Sequence, residues 1–410
     1  MDRPFQRNIF NYLIDLKAQY PAIAILGARQ VGKTTLAKAT AKDFFYMDLE
    51  KASDFDRVAN DPEFFFKQHP QHVIFDEAQE LPELFPILRS IIDENRSQKG
   101  RFILTGSSSA ELLHNISESL AGRIAIIELG TLKATEYYRK PLSPFYQLFE
   151  QPLEKNKITI QTPQLSMQQI QAFWLMGGYP EPILNDPGFY KEWMTDYQST
   201  YINRDIAKLF PRLDKVAYRR FITMLGKLSS KIINKSDLAR SIGVSQPTIS
   251  DYLDIANGTF VWRQLLSFES NVNKSIVKMP RGHIRDSGLL HHLLHIDNLE
   301  SLQNDPIAGF SFEAFVIEEI LKGLQDARIR NFDAYYYRTR SGAEIDLVIE
   351  GPFGLLPIEI KYGYQVSRMQ LRTLNDFIVN NHLPFGLLAN QSDRMEWLTD
   401  NILQVPAGCL

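Results

Sequence analysis

The chain has 410 residues, enough for roughly two to four domains, and its 44% hydrophobic and 23% charged residues are the balance of an ordinary globular protein. A formal net charge of -3 excludes polyanion binding driven by bulk electrostatics, so any nucleic-acid binding must depend on local basic patches. The single cysteine, Cys409, excludes an intrachain disulfide framework. Because the sequence has neither a signal-peptide pattern nor a stretch of 18 apolar residues, we expect a soluble cytoplasmic protein without a membrane partner.

Short apolar runs alternate with helical patterns over the first 130 residues or so. Runs of this length between helices predict a parallel sheet that is covered on both faces, and therefore an α/β fold. The five runs are Ala22–Leu26, Phe44–Leu49, Val73–Phe75, Phe102–Thr105 and Ile124–Leu129.

A phosphate-binding loop follows the first of these runs and opens a helix. The spacing of its glycines, lysine and threonine fits G-x-x-x-x-G-K-[ST] in full. Backbone N–H groups of such a loop wrap phosphates, the lysine reaches the β- and γ-phosphates, and the threonine hydroxyl can ligate Mg²⁺. We expect ATP with Mg²⁺ to bind here. The predicted nucleotide-binding residues are Gly27, Ala28, Arg29, Gln30, Val31, Gly32, Lys33, Thr34 and Thr35.

Two adjacent carboxylates end the apolar run Val73–Phe75. Asp76 is predicted to hold Mg²⁺ together with Thr34, and Glu77 to polarise the attacking water, because phosphoryl transfer needs mainly positioning and charge neutralisation. A hydroxyl residue after the next run, Thr105 or Ser107, is predicted to sense the γ-phosphate, and the sequence does not choose between them.

Two arginines are candidates for an arginine finger or a nucleotide sensor. Arg123 precedes the fifth apolar run, and Arg204 stands beside Asp205 in a later helical pattern, where a local ion pair is the alternative. An arginine that acts on a neighbouring subunit's nucleotide requires an oligomer. We therefore expect a homo-oligomer, with a hexameric ring as one form it could take.

Four runs together resemble one family: the P-loop, Ile74–Gln79, Leu104–Ser108 and Gly177–Glu181. It is the family of bacterial and archaeal AAA+ ATPases that carry a carboxyl-terminal domain of unknown function. The resemblance covers nearly the whole chain. It implies an ATP hydrolase built on a P-loop AAA+ sheet with a helical lid, but not a pathway.

A helix-turn-helix pattern spans residues 236–250. Ser236 is predicted to cap its first helix, Gly243 to form the turn and Ser245 to cap the second helix. Residues 225–290 contain nine Lys or Arg and five Asp or Glu, so DNA is the expected partner, although Asp251 and Asp254 oppose phosphate binding. A winged helix that contacts protein is the alternative. The candidate phosphate contacts are Lys227, Lys231, Lys235, Lys274, Lys278, Arg281 and Arg285.

Carboxylates recur near the carboxyl terminus on one helical and two strand patterns. They resemble the PD-(D/E)xK nuclease fold, in which acids hold Mg²⁺ and a lysine orients water. The resemblance assigns the metal to Glu313, Asp346 and Glu359, with Lys361 beside them. A structural Lys–Glu bridge without nuclease activity is the alternative. His291 and His295 have zinc-ligand spacing, but core or surface histidines are favoured because no third ligand is evident.

These features predict four domains: an ATPase core over 1–135, a linker and helical lid over 136–215, a winged helix over 216–298 and a small nuclease-like α/β domain over 299–410. The expected function is ATP hydrolysis coupled to binding or remodelling of branched or broken DNA. Two alternatives remain: a nucleotide-dependent assembly switch that binds a protein, and an ATP-gated nuclease of a defence system.

Overall fold

The structure of the chain is a computed structural model that describes residues 5–107, 109–185, 187–201, 206–207, 210, 213–269, 279–339, 341–367 and 369–410. It forms two compact units. The first runs to Thr131 and takes in Gly258–Phe260, and the second contains Leu132–Asn257 and Val261–Leu410.

A five-stranded parallel sheet forms the centre of the first unit, in the order β2-β3-β4-β1-β5. The strands coincide with the five apolar runs to within one or two residues, which confirms the predicted α/β fold. Every residue of β1, β3 and β4 is buried, as expected for parallel strands covered by helices on both faces. The strands are β1 (Ala22–Leu26), β2 (Phe45–Asp48), β3 (Val73–Asp76), β4 (Phe102–Gly106) and β5 (Ile124–Glu128).

Helices connect these strands, and the P-loop lies between β1 and the helix Lys33–Thr40. Because all five strands are parallel, the segments that follow β1, β3 and β4 meet at the same, carboxyl edge of the sheet. The helices of this unit are α1 (Phe10–Gln19), α2 (Lys33–Thr40), α3 (Ala52–Ala59), α4 (Pro62–Gln68), α5 (Leu84–Glu94) and α6 (Ser109–Ser119).

A nine-stranded mixed sheet forms the centre of the second unit, in the order β13-β14-β12-β11-β10-β9-β7-β8-β6. Its β9, β10 and β11 pair antiparallel, whereas β11, β12 and β14 run parallel. The strands are β6 (Lys231–Ile232), β7 (Trp262–Ser267), β8 (Arg281–Ile284), β9 (Asp333–Arg338), β10 (Glu344–Gly351), β11 (Gly354–Ile360), β12 (Gly386–Asn390), β13 (Glu396–Trp397) and β14 (Ile402–Pro406).

In the helical part of the second unit, the helix Met167–Met176 ends directly before Gly177. The nineteen-residue α16 is the unit's longest described helix and carries three buried glutamates, Glu313, Glu318 and Glu319. The helices are α7 (Ala134–Tyr137), α8 (Met167–Met176), α9 (Pro180–Ile183), α10 (Pro187–Thr200), α11 (Lys215–Lys227), α12 (Lys235–Ile242), α13 (Gln246–Gly258), α14 (Ser287–Leu293), α15 (Leu299–Asn304), α16 (Ala308–Asp326) and α17 (Arg372–Asn380).

The predicted helix-turn-helix is formed by α12 and α13, with Gly243 in the left-handed conformation between them. Ser245 accepts a hydrogen bond from the Thr248 amide and caps α13 as expected. The first cap was predicted wrongly, because Asn234 rather than Ser236 accepts hydrogen bonds from the amides at the start of α12. Asn234 stands just outside the helix, where an N-cap must be.

The second unit therefore combines the segments that the sequence assigns to the lid, the winged helix and the nuclease-like domain. Strands β7 and β9 pair in parallel, so the hairpin that follows the helix-turn-helix is continuous with the carboxyl-terminal sheet. The four-domain division of the chain remains a proposal. Among the residues that the structure describes, no helix is long and apolar enough to cross a membrane.

Candidate nucleotide site and carboxyl-terminal charge cluster

The P-loop joins the end of β1 to the start of α2. Gly27 packs so closely that a β-carbon there would lie 2.1 Å from the Leu129 carbonyl oxygen, which explains a glycine at this position. Gly32, with φ at 94°, adopts the left-handed conformation that side chains rarely tolerate, and directly precedes α2. The two glycines thus set the turn that aims the first amides of α2 into the loop, where anions are favoured.

Lys33 is buried at the start of α2, only 5% exposed. Its ammonium donates hydrogen bonds to the carbonyl oxygens of Gly27 and Ala28 at 3.1 and 3.0 Å, so it lies within the concave side of the loop. Burial lowers the pKa of Lys33, and the nearby carboxylates of Glu77 and Asp76 only partly oppose this effect.

Asp76 ends β3 and accepts hydrogen bonds from three hydroxyl groups. The Thr34 hydroxyl lies 2.9 and 2.8 Å from its two carboxylate oxygens, the Tyr46 hydroxyl lies 2.6 Å from Oδ2, and the Thr105 hydroxyl also donates to it. Burial and the bond to Asp76 raise the pKa of Tyr46. The predicted pair of Thr34 and Asp76 is therefore brought into direct contact.

Glu77 follows in the left-handed conformation, with φ at 52°, an unusual backbone for a non-glycine residue and one found more often at functional sites. Its Oε2 atom accepts from the Gln79 amide at 2.7 Å, and from the Ser107 hydroxyl and backbone amide at 2.9 and 3.1 Å. Burial alone would raise the pKa of Glu77, but Lys33 and these hydrogen bonds hold it below its usual value.

The two sensor candidates take different positions. Thr105 is fully buried beneath Asp76 and also accepts a hydrogen bond from the Glu77 backbone amide, at 3.2 Å. Ser107 contacts the Glu77 carboxylate instead. Both therefore touch the acidic pair, each through a different carboxylate.

Of the two arginine candidates, only Arg123 lies within the described residues, and it is far from the P-loop of its own chain. Arg123 forms a two-point ion pair with Asp93, at 2.8 and 2.7 Å, and its carbonyl oxygen accepts from Ala22 at the beginning of β1. It thus stands at the amino edge of the sheet, about one strand length or roughly 15 Å from the P-loop of its own chain. Arg29 of the P-loop lies 3.1 Å from Glu50. Arg204 lies outside the described residues.

The carboxyl-terminal acids form a cluster on α16, β10 and β11. Glu313, Asp346 and Glu359 are 6%, 7% and 5% exposed, and Lys361 pairs with Glu359. Burial and the Asp346 charge raise the pKa of Glu313, and the same two causes raise the pKa of Glu359 to about 8. Arg281 of β8, which the sequence assigned to a DNA-binding surface, forms ion pairs with Glu313 and Asp346 instead.

This arrangement corrects part of the predicted basic surface. Arg281 is buried, and Arg285 pairs with the buried Glu318, so neither is presented to DNA as the sequence suggested. Lys227 is exposed, whereas Lys231 and Lys235 are partly buried. Lys274 and Lys278 lie outside the described residues.

His291 is buried in a hydrogen-bonded chain rather than paired with His295, which is exposed. Its Nδ1 lies 2.9 Å from the Leu175 carbonyl oxygen, and its Nε2 lies 2.6 Å from the Ser311 hydroxyl. A carbonyl can only accept, so Nδ1 donates and Nε2 accepts from Ser311. Burial lowers the pKa of His291 to about 4, and the side chain is neutral.

Sequence reasoning missed three residues of these sites: Tyr46, Gln79 and Arg281. Gln79 carried a local signal, since it stands two residues after Glu77 in the run that follows β3. Tyr46 carried a weaker one, a polar side chain near the carboxyl end of β2. Arg281 carried none, because its partners are 32 and 65 residues away in the chain.

The comparisons with known proteins agree with the geometry of the first unit. Residues 19–138 match the family described as AAA domain, residues 167–300 match a domain of unknown function (DUF8612), and residues 308–410 match a domain of unknown function (DUF4143). Together with the strand order and the P-loop, the first match defines an ATPase of the AAA type.

Two relatives that match most of the chain show its family. Uncharacterized protein Rv2008c of Mycobacterium tuberculosis and Uncharacterized protein Mb2031c of Mycobacterium bovis are each 30% identical to it over 400 residues, which cover 94% of this chain and 80% of each relative. The chain belongs to the same family as these mycobacterial proteins.

Solved structures show weaker likeness. The Walker-type ATPase PABY2304 of Pyrococcus abyssi is 16% identical, with 71% of this chain and 98% of that chain covered and a TM-score of 0.47. RuvB of Thermotoga maritima, a Holliday junction branch migration motor, is 16% identical, with 63% and 90% covered and a TM-score of 0.30. Scores of this size reflect partial superposition only, and the fold assignment depends on the strand order and the P-loop.

Proposed function

We propose that this AAA-type ATPase hydrolyses ATP on the P-loop and couples hydrolysis to the binding or remodelling of DNA, with branched or broken DNA as substrates. The observation that carries the ATP part is the convergence of Lys33, Asp76 and Glu77 at one edge of the sheet. Lys33 comes from the P-loop and the two acids from the end of β3, and each side chain has the chemistry that phosphoryl transfer needs.

Lys33 is the proposed phosphate ligand. Its ammonium now donates to two carbonyl oxygens of the loop, and a β- or γ-phosphate oxygen would be a stronger, charged acceptor for the same donors. The exchange would keep the buried ammonium hydrogen-bonded before and after nucleotide binding.

Thr34 and Asp76 fit Mg²⁺, because both offer oxygen atoms, which this ion prefers, and because the Asp76 partners are neutral hydroxyls. When bound, the ion would neutralise phosphate charge. Tyr46 and Thr105 would keep the Asp76 carboxylate in its present orientation. Glu77 would position the attacking water, with Ser107 and Gln79 fixing its carboxylate and linking it to the end of β4.

Arg123 is proposed to act on the nucleotide of a neighbouring subunit. It stands at the edge of the sheet opposite the P-loop, so a role in phosphate contact requires a second copy of the chain and release from Asp93. A homo-oligomer, with a hexameric ring as one arrangement, would supply that copy.

The DNA part of the proposal is supported by the helix-turn-helix and by Lys227, Lys231 and Lys235 at its start. These lysines form no ion pair among the residues described, although the Lys231 ammonium lies 4.9 Å from the centre of the Phe310 ring and the Lys235 ammonium lies 3.0 Å from the Ser250 hydroxyl. These lysines could therefore contact the phosphates of DNA.

One observation favours a second candidate, a nucleotide-dependent assembly switch that binds a protein. Asp251 and Asp254 are exposed on α13, the helix that would enter a DNA groove, and would repel phosphate. A basic partner surface would meet them favourably.

DNA titration at several salt concentrations separates the two candidates. In the DNA-binding case, ATP turnover rises with DNA, and replacing Lys227, Lys231 and Lys235 by glutamine lowers the log–log salt slope by about 0.9 per lost phosphate contact. The matched control replaces the exposed lysines Lys42, Lys67 and Lys99 and leaves the slope unchanged. Turnover that ignores DNA, with equal slopes in both triple variants, would favour the protein-binding switch.

A further inference from the structure

The charge cluster of the second unit, formed by Glu313, Asp346, Glu359, Lys361 and Arg281, is a set of three buried carboxylates with two cations. The acids come from three different elements, and the nuclease-like resemblance assigns these same three acids to Mg²⁺. Buried carboxylates are costly unless a cation and hydrogen bonds compensate their charge. The identity of that cation therefore decides what the cluster does.

Arg281 enters the cluster from β8 and is only 4% exposed. Its NH2 nitrogen lies 2.6 and 2.7 Å from the two carboxylate oxygens of Glu313, and its NH1 nitrogen lies 3.2 Å from Oδ1 of Asp346. Its Nε donates to the Ser230 carbonyl oxygen at 2.7 Å. Each nitrogen of the guanidinium thus has an acceptor, and the side chain is fixed in place.

Asp346 and Glu359 have further partners, although Oε2 of Glu359 forms no hydrogen bond among the residues described. Oδ2 of Asp346 accepts from the backbone amide of Ile360 at 2.8 Å, and Glu359 pairs with the Lys361 ammonium. Across the described ranges, no three His, Cys, Asp or Glu side chains are grouped so that they could hold a metal ion. In this arrangement the residues do not fit Mg²⁺, since the guanidinium occupies the space between Glu313 and Asp346.

We propose that Arg281 is the built-in cation of this cluster, standing where the nuclease-like resemblance predicts a divalent ion. The cluster then fastens β8, which follows the helix-turn-helix, to α16 and β10 of the carboxyl-terminal part. In this state it holds no metal and supports no metal-dependent cleavage of DNA.

A second ion network on the same helix supports the fastening role. Glu318, five positions after Glu313, receives Arg263 of β7 together with His283 and Arg285 of the β8 segment. Burial alone would raise the pKa of Glu318, but the Arg263 and Arg285 guanidinium groups hold it well below its usual range. Two of the three buried glutamates of α16, Glu313 and Glu318, thus receive arginines from the hairpin that joins the sheet through β7 and β9.

Removal of Arg281 should have an effect that the loss of an ordinary ion pair would not have. If the guanidinium takes the place of an ion between Glu313 and Asp346, its removal frees these two carboxylates and that of Glu359 to turn towards one open space. A divalent ion should then bind there, and Arg281→Ala should create a metal site that the natural chain does not have.

The test is thermal unfolding of the nucleotide-free full chain in EDTA and in Mn²⁺. The Mn²⁺-induced rise in Tm should be equal in the natural chain and in Asp346→Asn, because any response of the nucleotide site is common to both. Arg281→Ala should have a lower Tm in EDTA than the natural chain and a larger Mn²⁺-induced rise in Tm. This larger rise should increase with the logarithm of the Mn²⁺ concentration. It should disappear in the double variant that combines Arg281→Ala with Asp346→Asn. Arg263→Ala removes an arginine from the neighbouring network and serves as the matched control without a gain.

Two outcomes would overturn the proposal: a Mn²⁺ response of the natural chain that Asp346→Asn reduces, or a folded Arg281→Ala variant that gains none. If Arg281→Ala does not fold, electron paramagnetic resonance counts bound Mn²⁺ in the natural chain and in Asp346→Asn. Equal counts support the built-in cation, and one ion fewer in Asp346→Asn overturns it.

Discussion

The nucleotide site and the charge cluster use similar side chains in opposite ways. At Asp76 the carboxylate is surrounded by three hydroxyl groups, and within the part of the chain that is described it forms no ion pair. At Asp346 the carboxylate is paired with a buried guanidinium. Hydroxyl donors orient a carboxylate without cancelling its charge, whereas an arginine cancels it. A carboxylate at a strand end therefore indicates a metal site only when its neighbours are known.

The largest expected effect concerns the two lysines of these sites. Lys33→Ala should abolish tight ATP binding and reduce turnover by about a hundredfold or more, because it removes the buried charge that we propose as the phosphate ligand. Lys361→Ala should leave turnover within about twofold of the natural chain, since it removes only the partner of Glu359. Steady-state ATPase assays and nucleotide titrations measure both.

Glu77→Gln is a second test of the nucleotide site. It should retain ATP and trap it unhydrolysed, since the amide preserves the shape but cannot polarise water. Normal turnover in this variant would remove Glu77 from the proposed mechanism, and a strong loss in Lys361→Ala would erase the contrast between the two sites.

The next effect concerns stability at the cluster. Arg281→Met should cost about 3–5 kcal/mol in the free energy of unfolding, because it leaves buried carboxylates without their cation. The variant Arg281→Met, Glu313→Gln, Asp346→Asn should recover much of this loss, since it removes charge from both sides. Denaturant unfolding in EDTA measures both, and an equal loss in the two would mean that packing, and not charge, dominates the cluster.

Much of the first unit could be predicted because its signals are local. Each strand is a short apolar run, and Gly27, Gly32 and Lys33 lie within seven residues of one another. The cluster could not be predicted in full, because its cation depends on β8 lying beside α16. Nothing in the sequence around Arg281 distinguishes a buried arginine from one that contacts phosphate.

His291 is a buried side chain that, unlike the carboxylates of Asp76 and Asp346, carries no charge in the folded protein. Its folded pKa of about 4 lies below the ordinary value of 6.5, so the fold favours the neutral form. The stabilising contribution is complete above pH 6.5 and is lost as the pH falls towards 4, by an amount on the order of 3 kcal/mol. Protonation would place a donor on Nε2, where the Ser311 hydroxyl now donates.

Unfolding measured from pH 7 to 4 checks this expectation. His291→Gln should lose stability at neutral pH but show a flatter pH dependence than the natural chain. His114→Gln, which replaces an exposed histidine, should leave the dependence unchanged. Parallel curves for the natural chain and His291→Gln would show that His291 is not the group that titrates.

The smallest expected effect tests whether the hydroxyls around Asp76 matter individually. Tyr46 donates to Asp76 at 2.6 Å, and the Lys38 ammonium lies 3.4 Å from the centre of its ring, so the ring is fixed on one face. Tyr46→Phe removes a single hydrogen bond to a charged acceptor, worth about 1–2 kcal/mol. We expect the Mg²⁺ concentration for half-maximal turnover to rise roughly 5- to 20-fold, while Tm changes little. Tyr20→Phe, at the amino edge of the same sheet, is the matched control. A lowered Tm with an unchanged Mg²⁺ requirement would assign Tyr46 a packing role, and would leave Thr34 and Thr105 as the side chains that orient Asp76.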